Sequence, residues 1–388
     1  MSQKNLPSKE KSNAMHLQRY AYIDALRGIA IIGVLFAHVS HYSNIAYPSW
    51  LNLIATVDVG PRGVQLFYVV SAFTLCLSFS KRRHIEKHTI RNFYIRRFFR
   101  IAPLFYLAIL YYLWQKNFWN GNPNHFSLMN ILTTFTFLNG FFPQFINNIV
   151  FGGWSIAVET SFYILFPLLF YQLRSTCRAI VITSISFLAL QALRLYMLSL
   201  SAIANSPDLQ TFSFEFFPSQ FPVFLIGMVI FQMMHEKKID TNRKEMSFLM
   251  VGIIVLFVIQ EILRVKLIAG HYIYGILFGI MVFILSKRPY KLLVNNLTVF
   301  TGKISYSLYL CHIAVYYWLT YFGLSRLLPA NPYLNFLLRF VVLFGLSSLI
   351  ASVLFFTVEK YGIILGKKLI NKYEKITASY ISSNARTW

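Results

Sequence analysis

Long apolar runs alternate with short polar stretches along the whole chain, and the runs set the elements. Ten of them, at 21–42, 62–80, 101–115, 153–172, 178–200, 214–234, 247–263, 269–286, 300–322 and 334–357, come near or reach the roughly 20 residues that cross a hydrocarbon core as helix. A spanning segment must satisfy its own backbone hydrogen bonds, so the pattern predicts an all-α fold, a polytopic bundle of about ten transmembrane helices. The stretch 128–147 is also apolar, but Asn139, Gly140 and Pro143 interrupt it. It is expected to be interfacial or re-entrant, since broken backbone at membrane depth needs cover from protein or water.

Composition agrees. Of 388 residues 56% are hydrophobic, 18% aromatic and only 13% charged, which is not the balance of a soluble domain. One membrane domain, 20–360, accounts for nearly everything. Residues 1–19 read as a disordered cytoplasmic tail and 361–388 as a basic cytoplasmic tail. The first apolar run is long and carries Arg27, so a cleaved signal peptide is not expected.

The net charge of +23 raises the question of nucleic acid, but its placement excludes that partner. Loop 81–100 holds eight Lys and Arg, and further basic residues sit at 235–246, at 287–299 and after 360. If the spans alternate, all of these fall on one side. The opposite loops carry only Lys116, Arg264, Lys266 and Arg326. The positive-inside rule then makes both termini cytoplasmic, with the bilayer and one anionic substrate as partners. Arg27, Arg97 and Arg100 lie towards the inner surface, His38 and Glu159 in the outer half, and His312 near the middle.

Charged and titratable residues inside apolar runs are the candidate chemistry. Arg27 and His38 are eleven residues apart, about three turns, on one face and roughly 16 Å apart along the axis. An intramembrane arginine faces protein or a water-filled cavity by default, and histidine is the side chain whose ordinary pKa suits proton transfer near neutrality. Asp24, one turn before Arg27, can neutralise it. His38 is either a proton-transfer group or a satisfied structural histidine, and His41 stands as an equal candidate. Arg97 and Arg100 share a helix face, where they either clamp phosphates or supply ordinary juxtamembrane charge. Glu159 needs a partner: it holds a histidine, acts as a base, or pairs with Arg194 or Arg62. His312 has the same two readings as His38, and the hydroxyls around it can serve as helix–helix hydrogen bonds. Cys76, Cys177 and Cys311 show no metal spacing, so neither a metal nor a disulfide framework is expected. There is no phosphate-binding glycine loop, no nucleophile elbow and no internal repeat.

Taken in order, the segments Asp24-ALRGIAIIGVLFAH-His38, Gly63-VQLFYVVSAF-Phe73, Arg96-RFFRIAP-Pro103, Trp154-SIAVETSFY-Tyr163, Phe221-PVFLIG-Gly227 and Gly302-KISYSLYLCH-His312 resemble the acyltransferase-3 family of integral-membrane acyltransferases. The resemblance covers about residues 20–365. Ala72, in place of the glycine usual after Ser71, and Glu359-Lys-Tyr361, without the usual proline, depart from the pattern. Some relatives continue into an extracytoplasmic hydrolase-like domain, which this chain is expected to lack.

The resemblance implies O-acylation, most often O-acetylation, of surface or exported glycans, in a multi-pass protein of the bacterial cytoplasmic (inner) membrane. Acetyl-CoA or another acyl-CoA is the implied co-substrate, with no bound cofactor. By position, His38 and Glu159 are the implied catalytic residues. Arg27, Arg97 and Arg100 are the implied acyl-donor residues, and Asp24, Trp154, Ser155, Tyr306 and His312 support them. In this picture Glu159 orients or charge-balances His38. The alternatives are a transporter or flippase for a polar solute, relayed by the same charges, and a structural or sensory membrane partner.

Overall fold

The computed structural model describes residues 8–41, 62–120, 126–236, 243–263, 269–324 and 331–384, and every regular element among them is helical. In chain order these are α1 (Ser8–His41), α2 (Gly63–Arg82), α3 (Thr89–Asn120), α4 (Leu128–Phe135), α5 (Gly153–Gln172), α6 (Thr176–Ser199), α7 (Ser201–Ala204), α8 (Pro207–Glu215), α9 (Phe217–Glu236) and α10 (Arg243–Leu263). They are followed by α11 (Gly270–Lys287), α12 (Asn296–Lys303), α13 (Ser305–Tyr321), α14 (Pro332–Leu354), a π-helical turn (Phe355–Glu359) and α15 (Lys360–Asn384).

The protein is an all-α, polytopic membrane protein. Each predicted run falls on helix. Seven segments among the described residues are long and apolar enough to cross a membrane: Tyr20–Val39, Gly63–Arg82, Gly153–Gln172, Thr176–Ser199, Pro207–Glu236, Gly270–Lys287 and Pro332–Lys375. The predicted third span lies within α3, whose first third carries Arg91, Arg96, Arg97 and Arg100 and whose end is rich in Tyr, Trp and Asn. The predicted ninth span is divided at Ile304 between α12 and the 17-residue α13.

Three local features go beyond the sequence pattern. The stretch expected to be a disordered tail is helical from Ser8, because helix-favouring Lys, Glu, Ala, Met, Leu and Gln carry the first helix back from its apolar run. The basic tail is also helical, and it docks on α3: Asn92 Nδ2 donates to Glu374 Oε1 at 2.8 Å, Arg91 reaches the same carboxylate at 3.4 Å, and the Arg91 guanidinium lies 5.0 Å from the Tyr373 ring. The 128–147 stretch forms α4, a 3-10 turn at Asn139–Phe141 and further turns, which Asn139 ties together by donating to the carbonyl of Ile146 at 3.0 Å.

The interior is built by α1, α2, α5, α9, α11 and α13, while α6 buries only Ala179 completely and lies at the periphery. The closest crossing joins α1 to α12. A Cβ on Gly302 would lie 1.7 Å from the carbonyl oxygen of Asp24, and one on Gly28 would lie 2.0 Å from that of Thr298. Backbones meet this closely only where side chains are missing, the device by which membrane helices pack without a hydrophobic drive between them. The crossing seats the start of α13 beside Arg27, and so positions the site.

Candidate active site

A cavity opens among α1, α2, α3, α5 and α13. Arg27, Arg97, Arg100, Glu159, Ser155 and Tyr306, all singled out from the sequence, line it together with Tyr68, Ser71, Tyr163, Ser305 and Tyr309. Glu159 was expected in the opposite half of the membrane from the arginines. It lines the same cavity as they do, and the turns at 142–152 that precede α5 bury Ile146, Ile149 and Val150.

Glu159 is held from two helices. Its Oε1 accepts from Ser71 Oγ on α2 and from Tyr163 Oη one turn along α5, both at 2.6 Å. Neither Arg194 nor Arg62 is its partner. Arg97 sits with its guanidinium 5.8 Å from the Tyr163 ring and 6.0 Å from that of Phe93, and its Nε is buried without a hydrogen-bond acceptor. Arg27 meets Asp24 only at 3.9 Å, too long for a strong bond. Three guanidiniums therefore face one cavity with a single carboxylate among the lining residues. A cationic chamber of this kind suits an anionic ligand.

Glu359 is a contribution that sequence reasoning passed over. The π-helical turn swings it inward to 2% exposure, where its Oε2 accepts from Ser307 Oγ at 2.8 Å and lies within electrostatic reach of Arg100 and Arg27. An acid at the end of an apolar run was the available signal. Ser71 and Tyr163 were likewise passed over; the i, i+4 spacing of Glu159 and Tyr163 was legible.

Tyr309 lines the cavity from α13, further along that helix than Ser305 and Tyr306. Its Oη accepts from Ser155 Oγ at 2.8 Å and lies 3.1 Å from the carbonyl oxygen of Gly152. Gly152 has φ +72°, and a Cβ there would come within 2.5 Å of that Oη, so the turn needs glycine twice over. Trp154 stands behind this wall, edge-on to Tyr68 at 6.4 Å.

His38 and His312 are not among the lining residues; they lie beyond Tyr309. His38 Nδ1 is 2.8 Å from His312 Nε2, the rings stack with centroids 5.0 Å apart, and the His312 ring lies 5.8 Å from that of Tyr309. Glu159 was expected to orient or charge-balance His38; the hydrogen-bond contact to His38 Nδ1 comes instead from His312. His312 Nδ1 faces the carbonyl oxygens of Tyr309 at 2.7 Å and Leu308 at 3.2 Å, so it carries the proton. The neutral ring then presents Nε2 as an acceptor, His38 donates from Nδ1, and the lone pair of His38 rests on Nε2. The side chain of His41 lies outside the described residues.

Residues 20–356 match the acyltransferase-3 family, described as "Acyltransferase domain". A "Putative O-acetyltransferase" of Staphylococcus aureus (strain COL) is 23% identical over 326 residues, 76% of this chain and 50% of its own length. A "Putative acetyltransferase" of Acidianus two-tailed virus is 24% identical over 316 residues, 79% of this chain and 86% of its own. The peptidoglycan O-acetyltransferase OatA of Listeria monocytogenes (serovar 1/2a) is 24% identical over 159 residues, 37% of this chain and 23% of its own. The chain spans about half the length of the staphylococcal relatives. No solved structure matches it.

Proposed function

The chain belongs to the acyltransferase-3 family, and from that premise we propose that it is a membrane O-acetyltransferase that moves an acetyl group from acetyl-CoA to a hydroxyl of a surface or exported glycan. The observation that carries this reading is the placement of Arg27, Arg97 and Arg100 around one cavity, with the His38–His312 pair one helical turn along α13 from its lining residue Tyr309. The names of the relatives support O-acetyl transfer.

The excess of Lys and Arg around Arg97 and Arg100 orients this end to the cytoplasm, where acyl-CoA is made. Its phosphates dock on the arginines through charge-assisted hydrogen bonds, which guanidinium forks make well. The pantetheine arm follows α1 past Arg27, and the thioester must pass Tyr309 to meet His38. The glycan hydroxyl approaches from the other side. His38 Nε2 takes its proton as the oxygen attacks the thioester carbonyl. A C–O bond forms, the C–S bond breaks, and the proton passes to the departing thiolate to give free coenzyme A. His312 fixes the tautomer and stabilises the charged ring. Glu159 and Glu359 lie within electrostatic reach of the arginines and limit their repulsion.

Purified protein in vesicles, given radiolabelled acetyl-CoA on one side and a glycan acceptor on the other, tests the reading. The label should appear on the acceptor, and His38→Ala should abolish transfer while the protein still inserts. Retained transfer in that variant would refute the role of His38. Accumulation of unmodified solute would point to a transporter.

A further inference from the structure

A second, polar pocket opens where the ends of α2, α5 and α9 meet, and it shares no lining residue with the cavity of Arg27, Arg97 and Arg100. Arg83 follows α2, Arg174 follows α5 and His235 lies in the last turn of α9; all three line it. Phe170 and Phe231 give it an apolar wall. The Arg83 guanidinium lies 5.5 Å from the Phe170 ring, and the His235 ring stacks on that of Phe231 with centroids 5.4 Å apart. Each arginine spends its Nε locally, Arg83 on His84 Nε2 at 3.0 Å and Arg174 on the carbonyl oxygen of Tyr171 at 2.7 Å. Among the described residues the terminal nitrogens of both make no hydrogen bond or ion pair.

No carboxylate lines the pocket. Glu236, next to His235, accepts from the backbone N–H of Thr176 at 3.0 Å. The neighbours of Arg83 are engaged as well: Lys81 donates to Tyr20 Oη at 2.8 Å and Arg82 to Glu86 Oε1 at 3.0 Å. Arg83 is thus the member of the run Lys81–Arg83 that is left to the pocket.

Position narrows the ligand. The basic segments 81–100 and 235–246 orient these helix ends to the cytoplasmic surface. Ile164, Leu168 and Tyr171, spaced four and three residues apart on one face of α5, are exposed and form an apolar stripe that ends at the pocket. A molecule with an anionic head and an apolar tail matches both features. Basic pockets between membrane helices on this side suit anionic lipid headgroups, and without a carboxylate nothing here holds the ammonium of a zwitterionic one.

We propose that Arg83, Arg174 and His235 form a site for the phosphate of an anionic phospholipid of the inner leaflet, whose acyl chain runs along Leu168 and Ile164. The site is independent of the acyltransferase reading.

Native mass spectrometry of the full-length protein in detergent micelles tests it with three probes: phosphatidylglycerol, phosphatidylcholine and inorganic phosphate. Phosphatidylglycerol should bind at least about tenfold more tightly than phosphatidylcholine, as charge-assisted contacts imply, and equimolar inorganic phosphate should not displace it. Arg83→Gln and Arg174→Gln should each reduce that preference to within about threefold. Lys81→Gln removes one charge from the same basic run but not from the pocket, and should keep the preference. Thermal unfolding of the three variants checks the fold. A wild type without the preference, a preference that survives both pocket variants, or an equal loss in Lys81→Gln overturns the site, the last by showing that diffuse surface charge suffices. Displacement of the lipid by equimolar inorganic phosphate overturns the lipid assignment in favour of a soluble phosphate.

Discussion

Nδ1 of His38 lies 2.8 Å from Nε2 of His312, and that bond leaves the basic nitrogen of His38 at the position remote from its partner. If His312 fixes the tautomer, replacing it should damage catalysis more than binding. His312→Phe should lower kcat by about 10²–10⁴, the range typical of lost proton-transfer and orienting groups, with little change in KM for the acyl donor. Steady-state acetyl transfer in vesicles measures both constants. Wild-type kcat in His312→Phe would remove the relay from the mechanism.

Arg97 and Arg100 sit three residues apart and face one cavity, which makes their expected signature different. Arg97→Gln and Arg100→Gln should each raise KM for acetyl-CoA about tenfold or more, the loss of one charge-assisted phosphate contact. Lysine at either position should restore only part, because it lacks the planar fork. Variation of coenzyme A analogues lacking the 3′-phosphate locates the contact. An unchanged KM in both Gln variants would place the donor elsewhere.

The apolar runs at 21–42, 62–80 and 153–172 were legible because membrane burial demands unbroken hydrophobicity, and α1, α2 and α5 follow them. Arg27 and Glu159 were legible as costly charges in apolar surroundings, and Arg97 only as one of two juxtamembrane arginines on a shared helix face. Their convergence was not, because depth was inferred from straight spans of equal height and no local pattern reports which side chains line one cavity. The pairing of His38 with His312 spans 274 positions, and no local pattern encodes it. Glu359 was hidden for another reason: only the π-helical turn directs it inward.

Gly302 and Gly345 make a matched test of the crossing between α1 and α12. A methyl at Gly302 would press into the carbonyl of Asp24, while one at Gly345 would meet nothing within 4 Å. Gly302→Ala should therefore destabilise by about 1–3 kcal/mol or more through overpacking. Gly345→Ala should be neutral or stabilise by up to about 1 kcal/mol through helix propensity. Unfolding midpoints in detergent compare them, and equal behaviour of the two variants would contradict the crossing.

Glu86 links the loop before α3 to that helix outside the membrane. Its Oε1 accepts from Arg96 at 2.7 Å and Arg82 at 3.0 Å, and its Oε2 from Arg96 at 3.1 Å. Burial pushes the Glu86 carboxyl up, but the hydrogen bonds from Arg96 and Arg82 outweigh it and hold the group below its ordinary range. A depressed carboxyl contributes stability above its unfolded-state value, about 4.3, and loses it as pH falls through the folded value. Arg96, which burial pulls below its own ordinary value, stays charged throughout acid and neutral solution, so only Glu86 titrates there. Glu86→Gln should consequently lower the unfolding midpoint at pH 7, and the gap between variant and wild type should close as pH is taken below about 4. Raising salt at pH 7 should narrow it only slightly, since both side chains of the Glu86–Arg96 pair are largely buried. A gap that persists unchanged at pH 3 would mean that the side chain supports the loop by packing and not by charge.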